Sequence, residues 1–252
     1  MSKIGIIGGS GLENSEIVSV TERKTLTTEY GAPSAELLFG KIAGIDIVFL
    51  SRHGGKHEYS PTEVNYRANI TALKEVGVTH ILATTACGSL AERIGRGHFV
   101  VLDQFIDFTK RRVSTFHDSF SEGAVHAPMA DPFDSNLRQL VIRCGKELNL
   151  PTHEKGTVVT IEGPRFSTRA ESRMFQSFGG DVINMSVATE VALANEAGLP
   201  YAAIAMSTDY DCWKEDEAPV TWEAIKEIFA ENAKNVEKLL EAVVFASQEG
   251  LN

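Results

Sequence analysis

Apolar positions along this chain fall into two patterns. Short, nearly unbroken runs at residues 3–8, 45–50, 79–85, 99–103, 156–161, 181–184 and 201–207 predict strands, several of them buried on both faces. Longer stretches with apolar residues three and four apart predict helices over 62–76, 135–148, 167–178, 187–197 and 221–246. In the first of these, Val64, Ile70, Leu73 and Val76 mark the apolar stripe, and Gly77 is a natural stop. Gly198 ends the fourth in the same way. Residues 112–128 carry the weakest pattern and predict a long loop, a kind of segment that is often functional.

Strands alternating with helices imply an α/β fold, with a central mixed β-sheet flanked by helices. The length of 252 residues suits one domain spanning 1–252, and no repeat, low-complexity tract or linker divides it.

Composition narrows the function. With 43% hydrophobic and 23% charged residues the chain expects an ordinary packed core. A formal net charge of -10 opposes binding to nucleic acid, whose phosphates require a basic face. It leaves room for a small anion in a local pocket. The three cysteines, Cys87, Cys144 and Cys212, are widely spaced and form no CxxC pair, as expected of reduced thiols in a cytoplasmic protein. Residues 1–8 lack the features of a signal peptide, and no apolar run reaches membrane-spanning length, so no membrane association is expected.

Ligands of open α/β sheets bind beyond the carboxyl ends of strands, so the residues following each strand are the first candidates. Gly8-Gly9-Ser10-Gly11 follows the first strand. Its glycines allow a backbone to approach an anion and Ser10 adds a hydroxyl, although a plain tight turn accounts for it equally well. It is neither a P-loop, which needs a following Gly-Lys-Ser/Thr, nor a dinucleotide fingerprint, since position 14 is Asn14. The second strand ends at Ser51-Arg52-His53, where an arginine offers a planar fork to phosphate oxygens or forms a surface ion pair. His53 and His57 have the spacing of a helical zinc pair, but Gly54 and Gly55 argue against a helix and no third ligand is evident, so no metal is expected. Thr84-Thr85-Ala86-Cys87-Gly88-Ser89 closes a further strand with small hydroxyl and backbone donors. Ser10, Arg52 and Thr85 describe one anion pocket if their strands are neighbours.

The strongest local signal is Ser207-Thr208-Asp209-Tyr210-Asp211. If the strand continues, period 2 turns Asp209 and Asp211 to one face. Paired carboxylates can bind a divalent metal, act as acid and base, or accept donors from a ligand; an acidic turn is the bland alternative. Adenine presents an N6 amino donor beside an N7 acceptor. One ionised aspartate can accept from N6 while a protonated neighbour gives its proton to N7, a division favoured when like charges raise one pKa. After another strand comes Glu162-Gly163-Pro164-Arg165-Phe166-Ser167, where Phe166 either stacks on a base or joins the core. Met185, in Asn184-Met185-Ser186, either lies against a sugar or packs internally.

These motifs, taken in order, resemble the trimeric purine-nucleoside phosphorylase family, and within it the S-methyl-5′-thioadenosine phosphorylase branch. The resemblance runs from about residue 3 to residue 246. It is carried by Gly8-Gly9-Ser10-Gly11-Leu12, Ser51-Arg52-His53-Gly54, Val64-Asn65-Tyr66, Thr84-Thr85-Ala86-Cys87-Gly88-Ser89-Leu90 and Asp103-Gln104-Phe105-Ile106-Asp107. It continues through His126-Ala127-Pro128-Met129-Ala130, Thr160-Ile161-Glu162-Gly163-Pro164-Arg165-Phe166-Ser167, Asn184-Met185 and Thr208-Asp209-Tyr210-Asp211-Cys212-Trp213. The last string is similar to the methylthioadenosine branch and unlike the 6-oxopurine phosphorylases, which carry an asparagine in that region.

The resemblance implies phosphorolysis of S-methyl-5′-thioadenosine to adenine and 5-methylthioribose 1-phosphate, a pentosyl transfer of purine and methionine salvage. Phosphate is then a co-substrate and no resident cofactor is needed. Phosphate would be held by Ser10, Arg52, His53, Thr85, the Ala86 backbone N–H and Ser186, where the family usually has threonine in place of Ser10 and Ser186. The base would be bound by Phe166, Ser167, Asp209 and Asp211, with Asp209 as the acid, and Met185 would face the ribose. His57 would line the 5′-methylthio pocket, with His126 reaching in from a neighbouring subunit of a homotrimer. Family members continue beyond the last helix with a segment that helps close that pocket, so this part is expected to be absent here or built differently. Trp222 stands where smaller apolar residues are usual. The alternatives are a phosphorylase of broader specificity, acting on adenosine or methylthioinosine, a nucleosidase that uses water, and a nucleoside-binding module without turnover.

Overall fold

In the computed structural model, which describes residues 2–9, 12, 17–121, 123–216 and 221–251, eleven strands join in one mixed sheet with helices against both faces. The side chains of residues 222, 224–226, 229 and 231 lie outside the described set. The apolar runs become the central strands β1 (Ile4–Gly8), β4 (Ile45–Ser51), β5 (His80–Ser89) and β11 (Tyr201–Asp209). Their neighbours are β2 (Ser19–Lys24), β3 (Leu37–Ile42), β6 (Phe99–Val101), β7 (Gln104–Phe108), β8 (Thr152–His153), β9 (Thr157–Ile161) and β10 (Val182–Asn184).

The reason the central runs lack polar alternation is visible in the core. Ile7, Ile81, Ala83 and Ala203 pack on one face, toward α1 (Tyr66–Glu75) and α4 (Val187–Glu196). Ile4, Ile6, Leu82 and Ile204 pack on the other, with Leu137 and Val141 of α2 (Ser135–Glu147) and Leu239 and Val243 of α5 (Trp222–Gly250). Each strand thus feeds alternate residues to two helix layers. A smaller cluster of Leu90, Val159, Phe175 and Ile183 seats α3 (Arg169–Ser177).

The strand order is β2-β3-β4-β1-β5-β10-β9-β7, with β11 and then β6 and β8 joined at β5. β5 is the branch point. It pairs in parallel with β1 from His80 to Ala83, and antiparallel with β10 only at Gly88 and Ser89. β11 runs parallel to it from Ile81 to Gly88 on the other side. Between Ala83 and Gly88, β1 has ended and β10 has not begun. This gap at the carboxyl end of β1 is a topological switch point, the place where such sheets bind ligands.

Several expectations are corrected. The helix expected over 62–76 begins only at Tyr66, because Asn65 caps it: its side chain accepts from Ala68 N–H at 3.2 Å and donates to the Tyr30 carbonyl at 2.7 Å. The strands β2, β3, β7 and β8 had no counterpart in the sequence reading. β2 is exposed at all six residues, so it shows no apolar run. β3 meets β4 through Ala43 and Gly44, both at positive φ (49° and 82°), a tight hairpin without the usual Asn-Gly signal. No described residue from 109 to 134 belongs to a helix or strand, in line with the expected loop.

Candidate active site

The switch point opens into a cavity of about 490 Å³. Arg52, His53, Thr85, Ala86 and Ser186 line it, as do Phe166, Ser167, Met185, Asp209, Asp211 and His57. Eleven of the expected site residues therefore converge on one space. Ser10 lies outside the described residues, as does the Trp222 side chain. His126 is exposed on the long loop, edge-on to Phe120 with centroids 5.4 Å apart, and does not line the cavity of its own chain.

One end of the cavity is lined by Arg52, His53, Thr85 and Ser186. Arg52 follows β4 and is 1% exposed, which overturns the surface ion pair. Its fork is not open either. Nε and Nη2 donate to the Glu190 carboxylate at 2.7 and 2.8 Å, and Nη1 donates to the Thr84 carbonyl at 2.8 Å. Burial works against the cation, but Glu190 outweighs it and raises its pKa. Gly9 opens a turn, its carbonyl accepting from the Leu12 N–H at 3.2 Å, and it also packs closely here. A Cβ at Gly9 would stand 2.6 Å from the Thr84 oxygen and 2.7 Å from Arg52 Nη1. The Gly9 N–H also meets Thr84 Oγ1 at 3.2 Å, which joins the end of β1 to β5.

His53 Nδ1 lies 2.9 Å from the Tyr59 carbonyl, so that nitrogen carries a proton. His57 adopts φ 56° and stacks on His53 with centroids 4.6 Å apart; no helix joins them. Among the described residues no group of three or more His, Cys, Asp or Glu side chains could hold a metal ion. Ser186 is the N-cap residue of α4 without a side-chain cap bond, and the positive end of that helix faces the same region. Asn184 donates to Thr85 Oγ1 at 3.3 Å and accepts from Thr160 Oγ1 at 2.8 Å, so β5, β9 and β10 are tied together at the cavity wall.

The other end is acidic, and its geometry differs from the expected period of a strand. β11 stops at Asp209, after a register shift between Ser207 and Asp209, and Asp211 sits at φ 50°. The two carboxylates share the cavity because the chain turns: the Asp211 N–H donates to Asp209 Oδ1 at 2.7 Å. Thr208 Oγ1 lies 2.8 Å from Asp209 Oδ2. Burial raises the Asp209 pKa to about 6, against the lowering effect of the Thr208 and Asp211 hydrogen bonds. Burial also raises that of Asp211. The hydroxyls of Ser167 and Ser172 are near enough to Asp211 to temper this, but both oxygens are buried without a hydrogen bond of normal geometry. Gly88 leaves the room the acids occupy, since a Cβ there would lie 2.9 Å from Asp209 Oδ1 and 3.3 Å from Asp211 Cβ. Cys87 lines the cavity as a thiol, its pKa held well up by burial and by Asp209.

Phe166 is 38% exposed on the cavity wall, so it is not a core phenylalanine. Met185 lines the cavity, with its sulfur against Gly163, where a Cβ would be 2.4 Å away. Three further residues shape the site without having been expected from sequence: Glu190, Asn184 as a tie, and Glu162. Glu162 follows β9 and accepts from Thr62 Oγ1 (2.6 Å), Lys110 N–H (2.6 Å), Arg111 N–H (3.0 Å) and Arg112 Nε (3.0 Å). Burial opposes its charge, and these donors prevail and bring its pKa down to about 2. It thereby pins the start of the long loop to the cavity rim.

A central mixed sheet and a cavity at its switch point, lined by a buried arginine and two adjacent aspartates, agree with the match of residues 3–244 to the phosphorylase superfamily, and the chain belongs to that family. More particularly, it is 52% identical over 241 residues to the S-methyl-5′-thioadenosine phosphorylase of Danio rerio, covering 94% of this chain and 86% of that one. It is 51% identical over 254 residues to the protein of the same name from Ciona intestinalis, with 99% and 91% covered. Among solved structures it resembles the methylthioadenosine phosphorylase of Schistosoma mansoni in complex with adenine, with a TM-score of 0.94 and 42% identity over 99% of this chain and 93% of that one. A mutant of the adenosine/methylthioadenosine phosphorylase from the same organism, in complex with methylthioadenosine, superposes with a TM-score of 0.92, again at 42% identity with 99% and 93% covered.

Proposed function

We propose that this chain is a pentosyltransferase that cleaves S-methyl-5′-thioadenosine with inorganic phosphate, releasing adenine and 5-methylthioribose 1-phosphate. The observation that carries this reading is one cavity with buried Arg52 and two buried, adjacent aspartates on its wall. In the reaction a phosphate oxygen attacks C1′ as the C1′–N9 bond breaks. Positive charge develops on the ribose, and negative charge on the leaving purine. We assign phosphate to Arg52, His53, Thr85, the Ala86 N–H and Ser186, and on the family pattern to Ser10; there it serves as nucleophile and as electrostatic partner to the ribose. Asp209, in its protonated form, gives its proton to N7, while ionised Asp211 accepts from N6. A pKa near 6 supports the acid role, because an appreciable fraction stays protonated close to neutral pH. Phe166 and Ser167 hold the base, Met185 the ribose and His57 the methylthio group. No cofactor or metal takes part.

The working form is a homotrimer in the cytoplasm, with His126 of each chain completing a neighbour's methylthio pocket. Among the described residues no helix is long and apolar enough to cross a membrane. The assay is a panel of methylthioadenosine, adenosine, inosine and methylthioinosine, each with and without phosphate. Methylthioadenosine is expected to turn over best, only with phosphate, and to yield a sugar 1-phosphate. Equal turnover without phosphate would instead establish a nucleosidase, and preference for the inosine forms would reassign the base site. Adenine binding with no turnover would leave a binding module. Sedimentation equilibrium tests the trimer.

A further inference from the structure

Glu190 is an acid in the first turn of α4, fully buried among Val187, Ala188, Val191 and Leu193. Such a residue needs a counter-charge. It has one in Arg52, and it also accepts from the Tyr201 hydroxyl at 2.7 Å. Tyr201 opens β11 and is 1% exposed, so the Glu190–Tyr201 side of the cluster is closed to solvent. Three of the five guanidinium N–H groups are engaged, two by Glu190 and one by Thr84. Among the described residues no further acceptor is bonded to the second N–H of either terminal nitrogen, although the Tyr201 hydroxyl lies close to the guanidinium, and Arg52 is part of the cavity wall.

We propose that Glu190 is a positioning residue for phosphate: together with Tyr201 it fixes the plane of the Arg52 guanidinium, so that its two remaining N–H groups meet the oxyanion. The inference rests on the reading above, in which this end of the cavity takes phosphate. Two effects of opposite sign compete. The carboxylate cancels much of the arginine's charge, which weakens attraction for an anion. It also holds a planar donor group in a single orientation, and a fork binds phosphate only when correctly aimed. Orientation dominates. The Arg52–Glu190 pair is neutral as a unit, so Arg52 contributes directed N–H bonds more than net charge. Without the carboxylate, a guanidinium that is 1% exposed has no water to take up the lost bonds and turns toward other acceptors.

The test begins with the wild-type chain, whose phosphate-dependent cleavage of methylthioadenosine must be established; its absence would defeat the proposed function and not this inference. Glu190→Gln and Tyr201→Phe are then assayed with phosphate and nucleoside varied separately. Circular dichroism and thermal melting report whether each variant is folded. Folded Glu190→Gln is expected to raise KM for phosphate by roughly ten- to a hundredfold. KM for the nucleoside stays near the wild-type value, and the rise in Tm on adding phosphate is lost. Tyr201→Phe, which removes one hydrogen bond, raises KM for phosphate by about fivefold. An unchanged or lower KM for phosphate in folded Glu190→Gln would overturn the proposal, because the carboxylate would then act only as a neutralising charge. Equal rises in both KM values, the sign of a merely structural role, would overturn it as well. If Glu190→Gln does not fold, the Tyr201→Phe result decides by the same criteria.

Discussion

At the scale of single residues, the acidic end of the cavity makes the sharpest predictions. Asp209→Asn cannot donate a proton to N7, and turnover should fall by about 10²- to 10⁴-fold in steady-state assays. Turnover close to the wild-type rate would remove Asp209 from the acid role. The same substitution tests the elevated pKa without any substrate. Asp209 titrates near 6 in the folded chain and from 3.8 when unperturbed, so between those values the folded state binds more protons than the unfolded one. Stability from this residue is therefore full at low pH, declines as pH rises from about 4 to 6, and is flat above. Over that window the unfolding free energy of the wild type should fall relative to that of Asp209→Asn, by an amount on the order of 3 kcal/mol at most, and its Tm should fall with it. Two melting curves that run parallel across pH would show that the carboxyl titrates normally. Gly88→Ala tests the space around the acids. Its methyl would press on Asp209 Oδ1 at 2.9 Å and on Ile183 at 3.1 Å, in a strand with little room to yield. Activity should drop at least about tenfold, with a stability loss of about 1–3 kcal/mol from overpacking; an unaffected rate would mean that the carboxylates tolerate displacement.

At the scale of elements, α3 shows how a helix terminus serves the site. Thr168 caps it by accepting from the Glu171 N–H at 3.2 Å, and the Glu171 side chain returns the favour to the Thr168 N–H at 2.8 Å. Phe166 and Ser167 immediately precede this box. Thr168→Ala should cost about 1 kcal/mol in denaturant unfolding and should raise KM for the nucleoside more than KM for phosphate; a selective effect on phosphate would contradict the assigned ends of the cavity. The box also marks what could be read from residue types. Strands buried on both faces, such as β1, β5 and β11, announce themselves as apolar runs, and the ligand-facing residues stand at their ends. β2 was illegible because its six residues are exposed, and the β3–β4 hairpin because Ala43 takes a positive φ usually left to glycine or asparagine. The pairing of Asp209 with Asp211 was anticipated, but for the wrong reason: a turn joins them where an extended strand was expected. Glu190 left one usable trace, the one charge in the mostly apolar stretch Val187-Ala188-Thr189-Glu190-Val191-Ala192-Leu193. A charge so placed calls for a buried partner, though nothing local says that the partner is Arg52, 138 residues away.

At the scale of the whole molecule, the two faces of the sheet divide the labour. The layer of α2 and α5 packs through Leu137, Val141, Leu239 and Val243, and none of these lines the cavity. Leu239→Ala should therefore lower Tm by about 5–15 °C, as expected for a fully buried leucine, while kcat at 25 °C stays near wild type; a matching loss of kcat would show that this layer is coupled to the chemistry. The placement of β11 has a further consequence, for how the chain is made. This strand is translated late but inserts between β5 and β6, whose residues precede it by about a hundred positions. Until residues 201–209 leave the ribosome, two rows of backbone donors and acceptors at the heart of the sheet have nothing to pair with, and their apolar side chains are uncovered. A nascent chain in that condition is prone to stick to its neighbours, so ribosome-bound intermediates stalled before Tyr201 should be strong clients for chaperones that shield exposed strand edges.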